Sequence, residues 1–218
     1  TNVKLAGTHA GIGIGEDGPS QMGLEDVAAM RALAHMTILQ PADHVETQQA
    51  VRWMIEHKGP VYIRLTRQKM PDVHAPDYKW QPNKIDILWI PAKPAAKYQA
   101  TIIASGGPVP HALEAAVSLE AKGFAVRVAN ASTLQPFDGE TVARFAKDSQ
   151  RLVTVEDHNV NGGLGSAVCE AAAARGLAVP VVRLGLRSFG ESAAPEQLYE
   201  KYGLAASSIA EACLKNLG

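Results

Sequence analysis

The chain has 218 residues, 46% hydrophobic and 20% charged, with 21 Lys plus Arg against 22 Asp plus Glu, for a net charge of -1. That is enough apolar material for a core, which excludes a disordered chain, and there is no bulk positive field for nucleic acid or an anionic membrane. The two cysteines, Cys169 and Cys213, exclude a disulfide framework and point to a reducing, cytoplasmic compartment, and no apolar run is long enough for a membrane span.

Short apolar runs alternate with helix-like stretches. A strand is predicted over 3–7 and a helix from Ser20 to about residue 33, with Leu24, Val27 and Ala28 on its apolar stripe. A run over 36–39 closes at Pro41, and Asp43 with Glu46 three residues on opens a helix to about residue 57. Lys58-Gly59-Pro60 stops that helix, and 61–65 reads as a buried strand. From 69 to 98 the texture is that of a linker, with Pro71, Pro76, Pro82, Pro91 and Pro94 spaced by Trp80 and Trp89. The tryptophans predict that it packs on a surface. It ends in a strand over 85–90, which residues 91–97 are expected to turn back against the next strand.

The second half alternates more cleanly. Strands are predicted over 100–104, 125–129, 151–156 and 180–184. Helices are predicted over 111–122, 138–147, 164–175 and 195–202, with a last one opened by Ser208 and Glu211. The pattern predicts an α/β protein of two parallel-sheet domains. Residues 1–68 read as an incomplete domain, 69–98 as the linker and 99–218 as a complete doubly wound domain. An incomplete sheet predicts an exposed edge, and with it association as a homodimer or with a missing N-terminal portion. The sequence opens at Thr1 rather than Met, so an upstream portion is expected.

The densest polar and glycine-rich segment runs from Thr8 through His9, Gly11, Gly13, Gly15, Asp17, Gly18 and Ser20 to Gln21. It follows a strand, where ligands of open α/β sheets bind. Its donors and acceptors suit a polyhydroxylated substrate. On composition alone it also reads as a long turn punctuated by Asp17-Gly18-Pro19. Arg67 ends the third strand, where a planar fork can grip a phosphate or simply face solvent. Glu156-Asp157-His158 with Gly162-Gly163 reads as a tight turn with subunit packing, and Cys169 as a small core residue. No metal-ligand spacing stands out among the histidines.

Gly7-Thr8-His9 followed by Gly15-Glu16-Asp17-Gly18-Pro19-Ser20-Gln21 resembles the substrate loop of transketolases. Leu65-Thr66-Arg67-Gln68, Val153-Thr154-Val155-Glu156-Asp157-His158 and Gly162-Gly163-Leu164-Gly165 resemble that family in the same order. The resemblance implies an incomplete pyrimidine-binding domain followed by the family's C-terminal domain. It implies thiamine-diphosphate- and Mg-dependent transfer of a two-carbon ketol unit between sugar phosphates. By the same resemblance His9 and Arg67 hold the substrate phosphate, Asp17 accepts from a substrate hydroxyl, and Gln21 donates to a hydroxyl or carbonyl. Many members have His where Gln21 stands; Gln21 is the one possible catalytic residue, though it cannot carry a proton. The diphosphate site and the activating Glu of the family lie upstream of these motifs. The chain alone is therefore expected to bind no cofactor or metal and to be inactive. The alternative is a non-catalytic assembly module, or one that binds a phosphosugar.

Overall fold

A computed structural model describes residues 1–93 and 95–215. The first sheet holds β1 (Lys4–Gly7), β2 (Thr37–Leu39) and β3 (Val61–Arg64), parallel and in the order β1-β3-β2. Leu5 and Ile38 lie level with Tyr62 from either side. Then follow β4 (Asp86–Trp89), β5 (Ala100–Ala104), β6 (Val126–Asn130), β7 (Thr133–Gln135), β8 (Leu152–Asn159) and β9 (Val181–Leu186). All of these but β7 form the second sheet, in the order β4-β6-β5-β8-β9, parallel except at β4. β7 instead pairs antiparallel with β2, so a strand from the second half extends the first sheet. The fold is the mixed α/β arrangement of two mainly parallel sheets that the alternating pattern predicts.

The helices are α1 (Asp26–Arg31), α2 (His44–Glu56), α3 (Val109–Ala121), α4 (Gly139–Asp148), α5 (Leu164–Ala173), α6 (Pro195–Lys201) and α7 (Ala206–Leu214). Local chemistry fixes several of their starts. Asp43 caps α2 by accepting from the Glu46 N–H at 2.8 Å, and Glu46 accepts from the Ala42 N–H at 2.7 Å. Asp138 caps α4 through the Thr141 N–H at 3.1 Å. β5 and β6 are buried at every position because both faces of the second sheet are covered. Ala112, Leu119, Ile209 and Cys213 of α3 and α7 pack on Ile102 and Val128, while Phe145 and Val168 of α4 and α5 pack on Ile103 and Ala129.

Four expectations change. The helix expected from Ser20 begins only at Asp26, because Gly23 O accepts the Gly11 N–H and Leu24 O accepts the Asn159 N–H, which pulls the backbone there out of helical register. The strand expected over 85–90 is β4, but it joins β6 and not β5. β5 already has β6 and β8 on its two edges, so β4 joins the sheet at the outer edge of β6 instead. Glu156-Asp157-His158 is no turn but buried strand within β8. Cys169 is half-buried on the outer side of α5, whose inward face is taken by Val168 and Ala172.

The proline-rich segment is strapped down, as its tryptophans predict. Asp43 Oδ2 accepts from the Val73 N–H, the His74 N–H and the His74 ring, each at 2.8–2.9 Å. Trp80 packs edge-on to Trp53 and donates to Ser132 Oγ at 2.9 Å. His74 is buried, stacked on Tyr78, and faces Asp43, Glu46 and, at 3.8 Å, Asp86. Burial opposes its charge, but the Asp43 hydrogen bond and the surrounding carboxylates outweigh that and raise its pKa. The same partners outweigh burial at Asp43 and hold its carboxyl at about 2. A raised His pKa stabilises the fold below the unfolded value and loses that contribution as pH climbs through the folded one. Urea unfolding across pH should therefore show the wild type losing stability relative to His74→Asn above pH about 6.5. Parallel curves would contradict the latch.

Candidate functional site

α1 and α2 cover opposite faces of the first sheet: Val27 packs with Ile38 and Tyr62, whereas Ala50 and Met54 pack with Leu39 and Ile63. The connections after β1 and β2 therefore diverge on either side of β3, which puts the ligand-binding crevice beyond its carboxyl end. Three of the four predicted residues lie on the loop that follows β1, and Arg67 follows β3.

Arg67 Nη1 lies 2.8 Å from Asp17 Oδ2, with the Ile14 carbonyl at 3.5 Å. The family resemblance implies that the two serve different parts of a ligand; in the fold they hold each other. Their side chains are 49% and 44% exposed, so the pair is solvated and worth about 0–1 kcal/mol, weak enough for an anion to displace. His9 sits at φ 62, its Nδ1 paired with Thr8 Oγ1 at 2.9 Å. Gln21 is exposed on the same loop. Among the described residues no hydrogen bond joins His9 or Gln21 to the Asp17–Arg67 pair. Cavities of about 530 and 520 Å³ flank the segment after β3, and none of the four residues lines either. Among the described residues, then, Asp17 and Arg67 meet in the open, while His9 and Gln21 share their loop without touching the pair.

The loop itself is rigidly seated. Ile12 and Ile14, in a short 3-10 turn (Ile12–Asp17), are buried in the core of the second sheet's domain. Gly13 lies against Gln68 and the Tyr199 hydroxyl, and Ser192 Oγ donates to the Glu16 carbonyl at 2.5 Å. Gly190, Ser192, Pro195 and Tyr199 were not legible as site residues. Two isoleucines alternating with glycines were the available signal that the loop plugs into a core.

Beneath it lies a residue that sequence reasoning passed over. Arg64 is 2% exposed and lies between Asp26 and Asp157. Burial pushes the Asp26 carboxyl up, but Arg64 and the Tyr62 hydroxyl outweigh it and keep it below its ordinary value. Gln40 adds a hydrogen bond to Asp157 Oδ1 at 3.2 Å. Glu156 is spent internally, accepting the Leu164 and Gly165 N–H groups at the start of α5, while burial lifts its carboxyl to about 7.

Residues 1–73 match the family model of the transketolase pyrimidine-binding domain, and residues 93–209 match that of the transketolase C-terminal domain. The chain belongs to the transketolase family. It is 33% identical over 98% of its length to one of the subunits of the apulose-4-phosphate transketolase of Actinobacillus succinogenes, covering 68% of that protein. It is 34% identical over 97% of its length to mouse transketolase, of which it covers 33%. Among solved structures it superimposes with a TM-score of 0.85 on a split-gene transketolase described as an inactive beta4 tetramer, at 40% identity, covering 99% of this chain and 66% of that one. The chain thus spans about a third of the single-chain transketolase and about two thirds of the split-gene subunits.

Intact transketolases use thiamine diphosphate with a divalent metal. Among the described residues no group of three or more His, Cys, Asp or Glu comes together as a metal seat. Glu46 and Glu156 are already engaged by Ala42, Asn130 and the α5 N–H groups, and Asp157, with Oδ2 unpartnered among the described residues, is ion-paired to Arg64 and stands without a second carboxylate or His beside it to complete a metal seat. These residues do not fit the diphosphate and its metal. No helix among the described residues is long and apolar enough to cross a membrane.

Proposed function

We propose that this chain supplies the substrate cradle of a cytoplasmic transketolase that moves a two-carbon ketol unit between sugar phosphates. It is inactive until a cofactor-bearing partner joins it. The observation that carries this reading is the solvated pair between Asp17, on the seated loop after β1, and Arg67, just beyond the carboxyl end of β3. Arg67 and His9 receive the phosphate, Asp17 accepts from a substrate hydroxyl, and Gln21 donates to a hydroxyl or carbonyl. The four act by binding and orienting, since Gln21 transfers no proton.

The openness of the cradle supports the need for a partner. A small-molecule site usually encloses 70–90% or more of its ligand, whereas Asp17 and Arg67 are nearly half exposed. Thiamine diphosphate and Mg belong, in this reading, to the portion that closes the outer side; a second copy of the chain is the other partner to consider. Calorimetry tests the division of labour. Xylulose 5-phosphate should bind the 218-residue chain saturably, and thiamine diphosphate with Mg should not. No heat from the sugar phosphate would leave only an assembly module.

A further inference from the structure

Arg64 donates twice to the C-terminal end of the candidate loop, and through one of those bonds is linked to its N-terminal end. Its Nε lies 3.1 and 2.9 Å from the two oxygens of Asp26, and one Nη2 bond of 2.8 Å ends on the Gly23 carbonyl. That same carbonyl accepts the Gly11 N–H at 2.9 Å, which closes the loop on itself. The rest of the guanidinium reaches the second sheet, with Nη1 at 2.8 Å from Asp157 Oδ1 and Nη2 at 3.2 Å from the Asp157 carbonyl. Gly11 is pressed onto the same carboxylate. At φ +80 it has no side chain, and a Cβ there would stand 1.9 Å from Asp157 Oδ2.

We propose that Arg64 is the positioning residue of the substrate cradle. Its planar fork clamps residues 11, 23 and 26 of the loop to Asp157 of the second sheet, and so keeps His9 and Asp17 in register with Arg67 three residues further along. This deepens the reading above and rests on it. Arg64 itself touches no substrate. The task needs a guanidinium, because five rigid N–H donors serve Asp26, Gly23 and Asp157 together. An ammonium on a flexible stem preserves the charge but cannot span all three.

Arg64→Lys is the test, read by amide hydrogen exchange and by titration with xylulose 5-phosphate. Exchange across residues 10–26 should rise at least tenfold while β5 and β8 keep their protection, and affinity for the sugar phosphate should fall about tenfold. Unchanged exchange in the loop overturns the proposal. So does an equal rise in β5 and β8, which would make Arg64 a general stabiliser. Should the lysine variant not fold, Asp26→Asn weakens the clamp from the loop side and leaves the Arg64–Asp157 pair in place; the same loop-selective rise is expected and the same two results refute it. If wild-type chain binds no xylulose 5-phosphate, the substrate reading fails, and the exchange pattern still decides whether Arg64 sets the loop.

Discussion

Asp157→Ala should lower the melting temperature by on the order of 10 °C. The substitution strips a 2%-exposed guanidinium of its buried counter-ion and of the 2.8 Å bond between the two sheets. Breaking one side of a buried pair costs about 3–5 kcal/mol, because the remaining charge is left uncompensated. For a chain of this size each kcal/mol moves the midpoint by roughly 2–4 °C. Asp26 still faces Arg64, which puts the expected loss toward the lower end of that range. Asp157→Asn keeps an acceptor at Oδ1 for Arg64 and Gln40 and should cost distinctly less. A melting curve for Asp157→Ala within about 2 °C of wild type would mean that Arg64 finds water or another partner, and that the pair does not hold the sheets together.

The second large effect falls on ligand affinity and separates two residues that touch. Arg67→Ala should weaken xylulose 5-phosphate binding by about 10- to 100-fold, the equivalent of losing charge-assisted hydrogen bonds worth about 1.5–3 kcal/mol. Asp17→Ala acts in the opposite sense on the phosphate end, since it frees Arg67 from its 2.8 Å partner. Inorganic phosphate should then bind as well as before or better, while the preference for the hydroxylated sugar phosphate over inorganic phosphate shrinks. Titrations of both ligands into both variants resolve this. Equal losses for inorganic phosphate and sugar phosphate in Asp17→Ala would remove Asp17 from the hydroxyl end.

What could be read from the sequence was local. Asp43 with Glu46, and Asp138 at the head of its own segment, announce their helices, and both caps stand in the fold. The short, mostly apolar β5 and the alternation of strands with helices announced a covered parallel sheet. The loop from Thr8 to Gln21 was placed beyond a strand's carboxyl end by its position alone.

What escaped depends on contacts distant along the chain. Arg64 meets Asp26 and Asp157 at separations of 38 and 93 residues, so nothing near it marks an Arg in a strand as a buried clamp. β7, three residues long, has no pattern of its own and is a strand only because β2 offers it an edge. The pairing of β4 with β6 likewise follows from which edges of β5 are already occupied, a property of the finished sheet. The meeting of Asp17 with Arg67, 50 residues apart, is of the same kind.

The central claim, that this chain holds the sugar phosphate while another portion holds the reactive coenzyme, is met most directly by a ketol-transfer assay. Xylulose 5-phosphate and ribose 5-phosphate, supplied with thiamine diphosphate and Mg, should yield no sedoheptulose 7-phosphate with the purified chain alone. They should yield it once a subunit carrying the diphosphate site is added. Steady product formation by the chain on its own would contradict the account.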